Sequence, residues 1–144
     1  MKRRHESHWL PHTTGQMFDL AADIERYPEF LPHWTHARIL RRESDTLTVQ
    51  QELDLGVRRL RFESRAVLDR PGHLHISSAA HQFRRMEIDW QFTPGEQDGC
   101  VATLVIEIEM HALLMDVLAG RLMQSLTRDL FRRFVERAAC LYPG

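Results

Sequence analysis

Cysteine is scarce: Cys100 and Cys140 are the two in 144 residues, too few for a disulfide framework or a four-thiolate metal centre. Cys100 falls in an alternating stretch and Cys140 near the end of a helical one, so both are expected to be buried free thiols. Lysine is scarcer still. Lys2 is the one lysine among 19 basic residues, the rest being arginine. Genome composition produces such a bias, and so does an arginine face built for phosphate or lipid head groups. Charge of one sign is also missing: the net charge is −1, which gives no pull toward nucleic acid, and no DNA partner is expected. No stretch approaches the roughly 18 apolar residues of a membrane span. The opening Met1-Lys2-Arg3-Arg4-His5-Glu6-Ser7-His8 has no apolar run behind it, so no secretory leader is expected and the cytoplasm is the expected compartment. Nucleophile elbow, phosphate loop, nucleotide fingerprint and HExxH are all absent, and no catalytic residue is expected.

What remains is ordinary globular material, 43% hydrophobic and 27% charged. Its length predicts one domain over residues 1–144. Residues 4–11 read as a strand ending at Pro11. Thr13 and Gln16 have capping-box spacing, and Met17, Leu20, Ala21 and Ile24 follow at helical intervals, predicting a short helix over 14–24. Next comes Tyr27-Pro28-Glu29-Phe30-Leu31-Pro32-His33-Trp34. Its two prolines argue against a regular helix, yet half of it is large and apolar, so it is expected to cover something.

From residue 36 the period becomes two. Leu47, Val49, Gln51, Leu53 and Leu55 alternate with polar neighbours; so do Leu60, Phe62, Ala66 and Leu68; then Leu74 and Ile76; Met86, Ile88, Trp90 and Phe92; and Ala102, Leu104, Ile106, Ile108 and Met110. Pro71-Gly72 and Pro94-Gly95 mark turns. Such alternation predicts an antiparallel sheet with one dry face. Residues 113–141 hold no proline, and Leu114, Leu118, Leu122, Leu126, Leu130, Phe134 and Ala138 recur at four-residue steps. That predicts a helix roughly 40 Å long, the one element able to lie across the dry face. The expected fold class is α+β: a curved seven-stranded antiparallel sheet around a long C-terminal helix, with two short helices after the first strand.

A helix about 10–12 Å across is narrower than the sheet it crosses. The leftover space predicts an apolar pocket of roughly 300–1,000 Å³, walled by Phe62, Trp90, Ile106, Leu118 and Leu122, with its mouth under residues 27–34. Met86, Met110, Met115 and Met123 are adaptable liners or plain core. Gln51, on an otherwise apolar strand face, is either a polar contact for a ligand or a sheet-edge amide reaching water. Nine histidines raise the question of metal. His73 and His75 share a strand face and His33 and His36 lie three apart, but neither pair has the further Cys, Asp or His spacing of a zinc site, so no metal site is expected. Glu87, Asp89, Glu107 and Glu109 are expected on wet strand faces. Arg58, Arg59, Arg61 and Arg65, and Arg128, Arg132, Arg133 and Arg137, are the two basic patches, each readable as a solvated face or a phosphate or RNA contact.

Gln16-Met17-Phe18-Asp19-Leu20, Tyr27 through Pro32, Phe83, Trp90-Gln91-Phe92-Thr93-Pro94 and Phe134 through Tyr142 together resemble the coenzyme Q-binding protein family. That family includes bacterial ribosome-association toxins and lies in the START-like, polyketide-cyclase-like superfamily with the helix-grip fold. The resemblance spans about residues 4–142. It implies a non-catalytic lipophilic cavity holding ubiquinone or another isoprenoid lipid, with no required cofactor, in support of respiratory electron transfer. Carried over by position, Tyr27, Pro28, Phe30, Leu31 and Pro32 are implied lid residues, joined by Trp34, and Phe83 and Trp90 are implied sheet positions. His81-Gln82 stands where the family commonly has Gly-Pro, and Trp34 where it often has Cys. Implied partners are a lipophilic small molecule, the inner-membrane surface or respiratory complexes; the alternatives are a ribosomal subunit or, by superfamily analogy, a cyclase or aromatase chemistry.

Overall fold

The computed structural model describes residues 3–56 and 58–143, apart from the side chains of residues 122 and 124–126. The strands are β1 (Arg3–Leu10), β2 (Trp34–Glu43), β3 (Thr46–Asp54), β4 (Arg59–Asp69), β5 (His73–Ser77), β6 (Phe83–Pro94) and β7 (Cys100–Met110). They form one sheet in the order β1-β7-β6-β5-β4-β3-β2, every neighbour antiparallel. The helices are α1 (Thr14–Ala22), α2 (Tyr27–Phe30) and α3 (Leu113–Leu141).

The strand order explains the placement of the short helices. β1 and β2 are consecutive in sequence but lie on opposite edges, so the chain between them must travel across the sheet. It does so as α1, a 3-10 turn over Ile24–Arg26, and α2. Thr13 caps α1: its hydroxyl accepts from the Gln16 N–H and the Gln16 side chain accepts from the Thr13 N–H, the box the spacing predicts. Register shifts near Thr35 and Leu40 on β2, and near Arg84 on β6, mark bulges that add bend to the sheet.

The segment over 27–34 departs from the expectation of no helix. Tyr27–Phe30 makes one turn, with Pro28 in its first turn, where a missing N–H has no partner to lose, and Pro32 beyond its end. The leucine row on α3 also fails to stay on one face. Its buried residues begin as Met115, Ala119 and Met123, pass through Thr127, and finish as Leu130, Phe131, Phe134 and Ala138. A strict four-residue step advances about 40° per repeat on a helix of 3.6 residues per turn, so the row winds out of the interface. Leu114 is left 70% exposed, beside Leu113 at 80%. The same rotation corrects the expectation for Cys140: it stands about 200° from Ala138 and is exposed, whereas Cys100 is buried. No helix among the described residues is long and apolar enough to cross a membrane.

α3 packs along β7 and β1. Direct register partners share a sheet face, so β1 turns Arg4, Glu6 and His8 toward the helix, opposite Ile106, Leu104 and Ala102. The His8 ring meets Phe131 edge-on at 4.6 Å. Polar side chains on the inward side of an edge strand discourage further strand addition. Deeper in, Phe134 lies 5.0 Å from Trp90, 5.8 Å from Tyr27 and 5.1 Å from Phe30, ring centre to ring centre. That one side chain ties α3 to the sheet and to α2. Phe134→Ala should cost about 3–5 kcal/mol, measured by urea denaturation.

On the outer face, Glu52 accepts from Arg61 at 2.8 Å and from the Thr35 hydroxyl at 2.8 Å. Those hydrogen bonds, Arg61 first, outweigh desolvation and hold its carboxyl below the ordinary carboxylate range. A carboxyl lowered in the folded state adds stability that is complete above its unfolded pKa and lost as pH falls through the folded value. Acid unfolding of Glu52→Gln should therefore show a shallower loss of stability below the ordinary carboxyl range than the parent chain.

Candidate functional site

The concave face carries Leu47, Val49 and Leu53 from β3, Phe62 and Ala66 from β4, Leu74 and Ile76 from β5, and Met86, Ile88, Trp90 and Phe92 from β6, all buried. Two polar side chains interrupt this face. Gln51 Oε1 accepts from the Trp34 indole N–H at 2.8 Å, and Gln51 Nε2 donates to Ser64 Oγ at 2.6 Å. The Ser64 hydroxyl is turned toward the Val49 carbonyl at 3.4 Å. Gln51 is therefore no edge amide reaching water: it is 2% exposed, with one amide proton left after Ser64 is served. Ser64 was missed in the sequence because a serine inside an alternating run looks like a gap in the pattern; its partnership with Gln51 needs the β3–β4 register, in which Gln51 faces Phe62 and Val49 faces Ser64.

The expected lid is a packed aromatic group. Tyr27, Leu31 and Trp34 are buried, and Phe30 is half-buried. Tyr27 meets Trp34 edge-on at 5.9 Å and donates its hydroxyl to the Ala21 carbonyl; burial pushes its phenol pKa up. Pro28 lies in α2 and Pro32 just after it. Trp34 belongs to the first residue of β2 and spends its N–H on Gln51. Trp90 stacks on Phe92 at 5.5 Å with 12° between the planes, and Phe131 and Phe134 stand against it at 5.5 and 5.0 Å. Phe62 and Phe83, far apart in sequence, meet edge-on at 5.1 Å. Ile106 is buried in β7, Leu118 is half-buried on α3, and the Leu122 side chain lies outside the described residues.

An open pocket lies where the start of β4, the turn before β6, the end of β7 and the start of α3 converge. Its volume is about 440 Å³. Leu60, Met110 and Met115 give it an apolar side, while Arg58, Arg59, Arg61, His81, Gln82 and His111 supply the polar rim. Gln82 Nε2 donates to the Arg61 carbonyl at 2.8 Å, and its buried Oε1 has no hydrogen-bond partner. This mouth is displaced from the one expected under residues 27–34. Inward along β4 from Leu60, every second residue faces the concavity: Phe62, then Ser64. Four residues of strand span about 13 Å, so the Ser64 backbone lies about that far along β4 from Leu60, and Gln51, paired with Phe62, lies about half as far.

On the opposite, convex face, Glu87, Asp89, Glu107 and Glu109 stand among arginines and histidines, as alternation predicts. Arg85 binds Glu107 at 2.7 Å and also Glu87, and Arg3 binds Glu107 at 3.4 Å. Burial raises the Asp89 carboxyl, but hydrogen bonds from His75 and His73 outweigh it and hold the group below its ordinary value. Burial also pushes the Cys100 thiol up, which leaves it a poor nucleophile.

Gln51→Leu should strand the Trp34 N–H and remove a partner of Ser64 inside the core. A loss of about 1–3 kcal/mol follows from unsatisfied buried groups, read as a lower urea midpoint; an unchanged midpoint would show that these groups have water partners.

Known proteins place this arrangement. Residues 10–135 match the family model described as polyketide cyclase / dehydrase and lipid transport. The persistence and stress-resistance toxin PasT of Escherichia coli is 27% identical over 92% of this chain and 84% of its own. The coenzyme Q-binding protein COQ10 homolog B of Xenopus laevis is 23% identical over 95% of this chain and 58% of its own. Among solved structures, the 18 kDa protein CC1736 of Caulobacter crescentus is 26% identical with a TM-score of 0.79 over the whole of both chains. A START superfamily protein of Mycobacterium smegmatis has a TM-score of 0.84 at 13% identity, covering 98% of this chain and 99% of its own. The chain belongs to the polyketide cyclase / dehydrase and lipid transport family, with a START-like fold.

Proposed function

We propose that this chain is a non-catalytic binder of a lipophilic molecule, ubiquinone or a related isoprenoid lipid, held between the concave sheet and α3. The observation that carries the reading is an open pocket with an apolar side at one end of the concave face, on the same strand, β4, that carries Ser64 of the buried polar pair. A flexible isoprenoid tail suits Leu60, Met110 and Met115, because methionine side chains adapt to irregular shapes. A quinone carbonyl needs one or two donors, and Gln51 and Ser64 bring donor groups to that face. The name of the Xenopus relative as a coenzyme Q-binding protein supports the same assignment. Leu113, Leu114 and Val117 are exposed at the start of α3, whose neighbouring Ala112 and Met115 line the mouth together with Arg58, Arg59 and Arg61. An apolar tip flanked by arginines suits loading from an anionic membrane surface.

A ribosomal subunit is the second reading. Several curated relatives are named ribosome association toxin, including one from Escherichia coli at 26% identity over 92% of this chain and 84% of its own. Exposed Arg121, Arg128, Arg132 and Arg133 on α3 would supply phosphate contacts. Against it, Arg132 and Arg133 already face Asp129 and Glu136 on the same helix.

The test is a fluorescence titration of the delipidated full chain with a short-chain ubiquinone analogue, following tryptophan emission. Saturable quenching is expected, and Ala112→Trp, at an exposed position on the rim, should weaken it at least about tenfold. That factor corresponds to roughly 1.4 kcal/mol. Absence of binding by the folded chain would overturn the quinone reading, and cosedimentation with ribosomal subunits that weakens with salt would put the second reading in its place.

A further inference from the structure

The convex face holds a constellation that lipid binding does not use. His73 and His75 project from one side of β5, and the antiparallel register sets His75 directly opposite Asp89 on β6. His73 Nε2 lies 2.5 Å and His75 Nδ1 2.8 Å from the same oxygen, Asp89 Oδ1. One ligand atom from each residue lies within 4.8 Å of the other two. All three residues are half-buried, so they are partly fixed and still open to solution.

We propose that His73, His75 and Asp89 form a binding site for a divalent transition ion of the zinc class on the outer face of the sheet. Two imidazoles and one carboxylate are the donor set that favours zinc, cobalt, nickel or ferrous iron over magnesium or calcium. Ligands about 2.0–2.1 Å from a tetrahedral ion stand about 3.3 Å apart. The two histidine–carboxylate spacings, 2.5 and 2.8 Å, would open toward that value and the two imidazoles, whose ring centres are 6.2 Å apart, would turn toward one ion, adjustments of the size that side-chain rotation supplies.

The surroundings are arranged as metal sites require. A coordinating imidazole is normally oriented by a carboxylate on its other nitrogen, and His75 Nε2 faces Glu87 Oε1 at 3.1 Å. The carboxylate ligand is held too: Gln91 Nε2 donates to Asp89 Oδ2 at 3.3 Å, leaving Oδ1 for the ion. Arg3 and Arg85 lie nearby but are engaged by Glu107 and Glu87, so local charge does not oppose a dication. Three protein ligands leave a coordination position for water or an anion. It would open onto a groove of about 300 Å³ beside His75 and Asp89, lined also by Arg3, Arg85, Glu87 and Gln91. The site lies across the sheet from the concave pocket, and its occupant clamps β5 to β6 without touching a lipid. The sequence hid it because Asp89 is fourteen residues beyond His75 and joins the histidines through strand pairing alone.

The test uses the full chain without an affinity tag, titrated with Co²⁺ as a spectroscopic probe and then with Zn²⁺. One Co²⁺ per chain is expected, with visible absorption bands that Zn²⁺ abolishes. His73→Ala and Asp89→Asn should each weaken binding at least about tenfold, and Glu87→Gln should weaken it about tenfold by releasing the His75 ring. Because these positions are on the outer face, circular dichroism should match the parent, and His36→Ala should bind as the parent does. A folded parent chain that gives no visible bands, or binding that His73→Ala and Asp89→Asn leave unchanged, would overturn the proposal.

Discussion

One helix has to cover a sheet too wide for it, and the rest of the structure follows from that mismatch. Seven strands at about 4.8 Å spacing span roughly 29 Å, against a helix of about 10–12 Å. α3 settles along β7 and β1, leaving the β3 and β4 side of the concavity to be covered by something else. The β1-to-β2 connection must cross the sheet in any case, and it brings Tyr27, Phe30 and Leu31 with it. Tyr27, Phe30 and Phe134 close one part of the gap with edge-on aromatic contacts. The part bounded by Leu60, Met110 and Met115 stays open.

The two faces of the sheet divide the chemistry. From β3 to β6 the concave face is apolar but for Gln51 and Ser64, which satisfy each other and the Trp34 indole. Burying an amide without partners would cost several kcal/mol, so a core that keeps Gln51 needs both its hydrogen-bond partners, Trp34 and Ser64, in place. The convex face carries the titratable groups in cross-strand ladders, where arginine and histidine offset carboxylates. Strand alternation generates both faces from one sequence pattern, and it keeps lipophilic binding and ion binding physically separate.

Alternation and helical periodicity made most of the fold legible. The seven strands, the Thr13–Gln16 capping box and the bounds of α3 are all legible in residue spacing alone. What escaped reading depends on registers and angles. The four-residue leucine row on α3 looked like a continuous core face, yet a 40° drift per step carries Leu114 to the surface. Pro28 and Pro32 suggested an irregular segment, although a proline in a helix's first turn is compatible with α2. Gln51 stood out as a polar residue on an apolar strand, but its partners Trp34 and Ser64 become visible through pairing with β2 and β4 alone. Asp89 was legible as a wet-face carboxylate, not as a neighbour of both histidines.

The claim at the centre is that the gap between helix and sheet is kept open for a lipophilic guest. Extraction of the purified, undelipidated full chain with organic solvent, followed by mass spectrometry of the extract, addresses it most directly. The account predicts one dominant isoprenoid quinone or related lipid in near-stoichiometric amount, greatly reduced when Ala112→Trp narrows the mouth. An extract from folded parent protein with no lipophile above background, or with the same trace lipids in the same amounts from parent and variant, would contradict it.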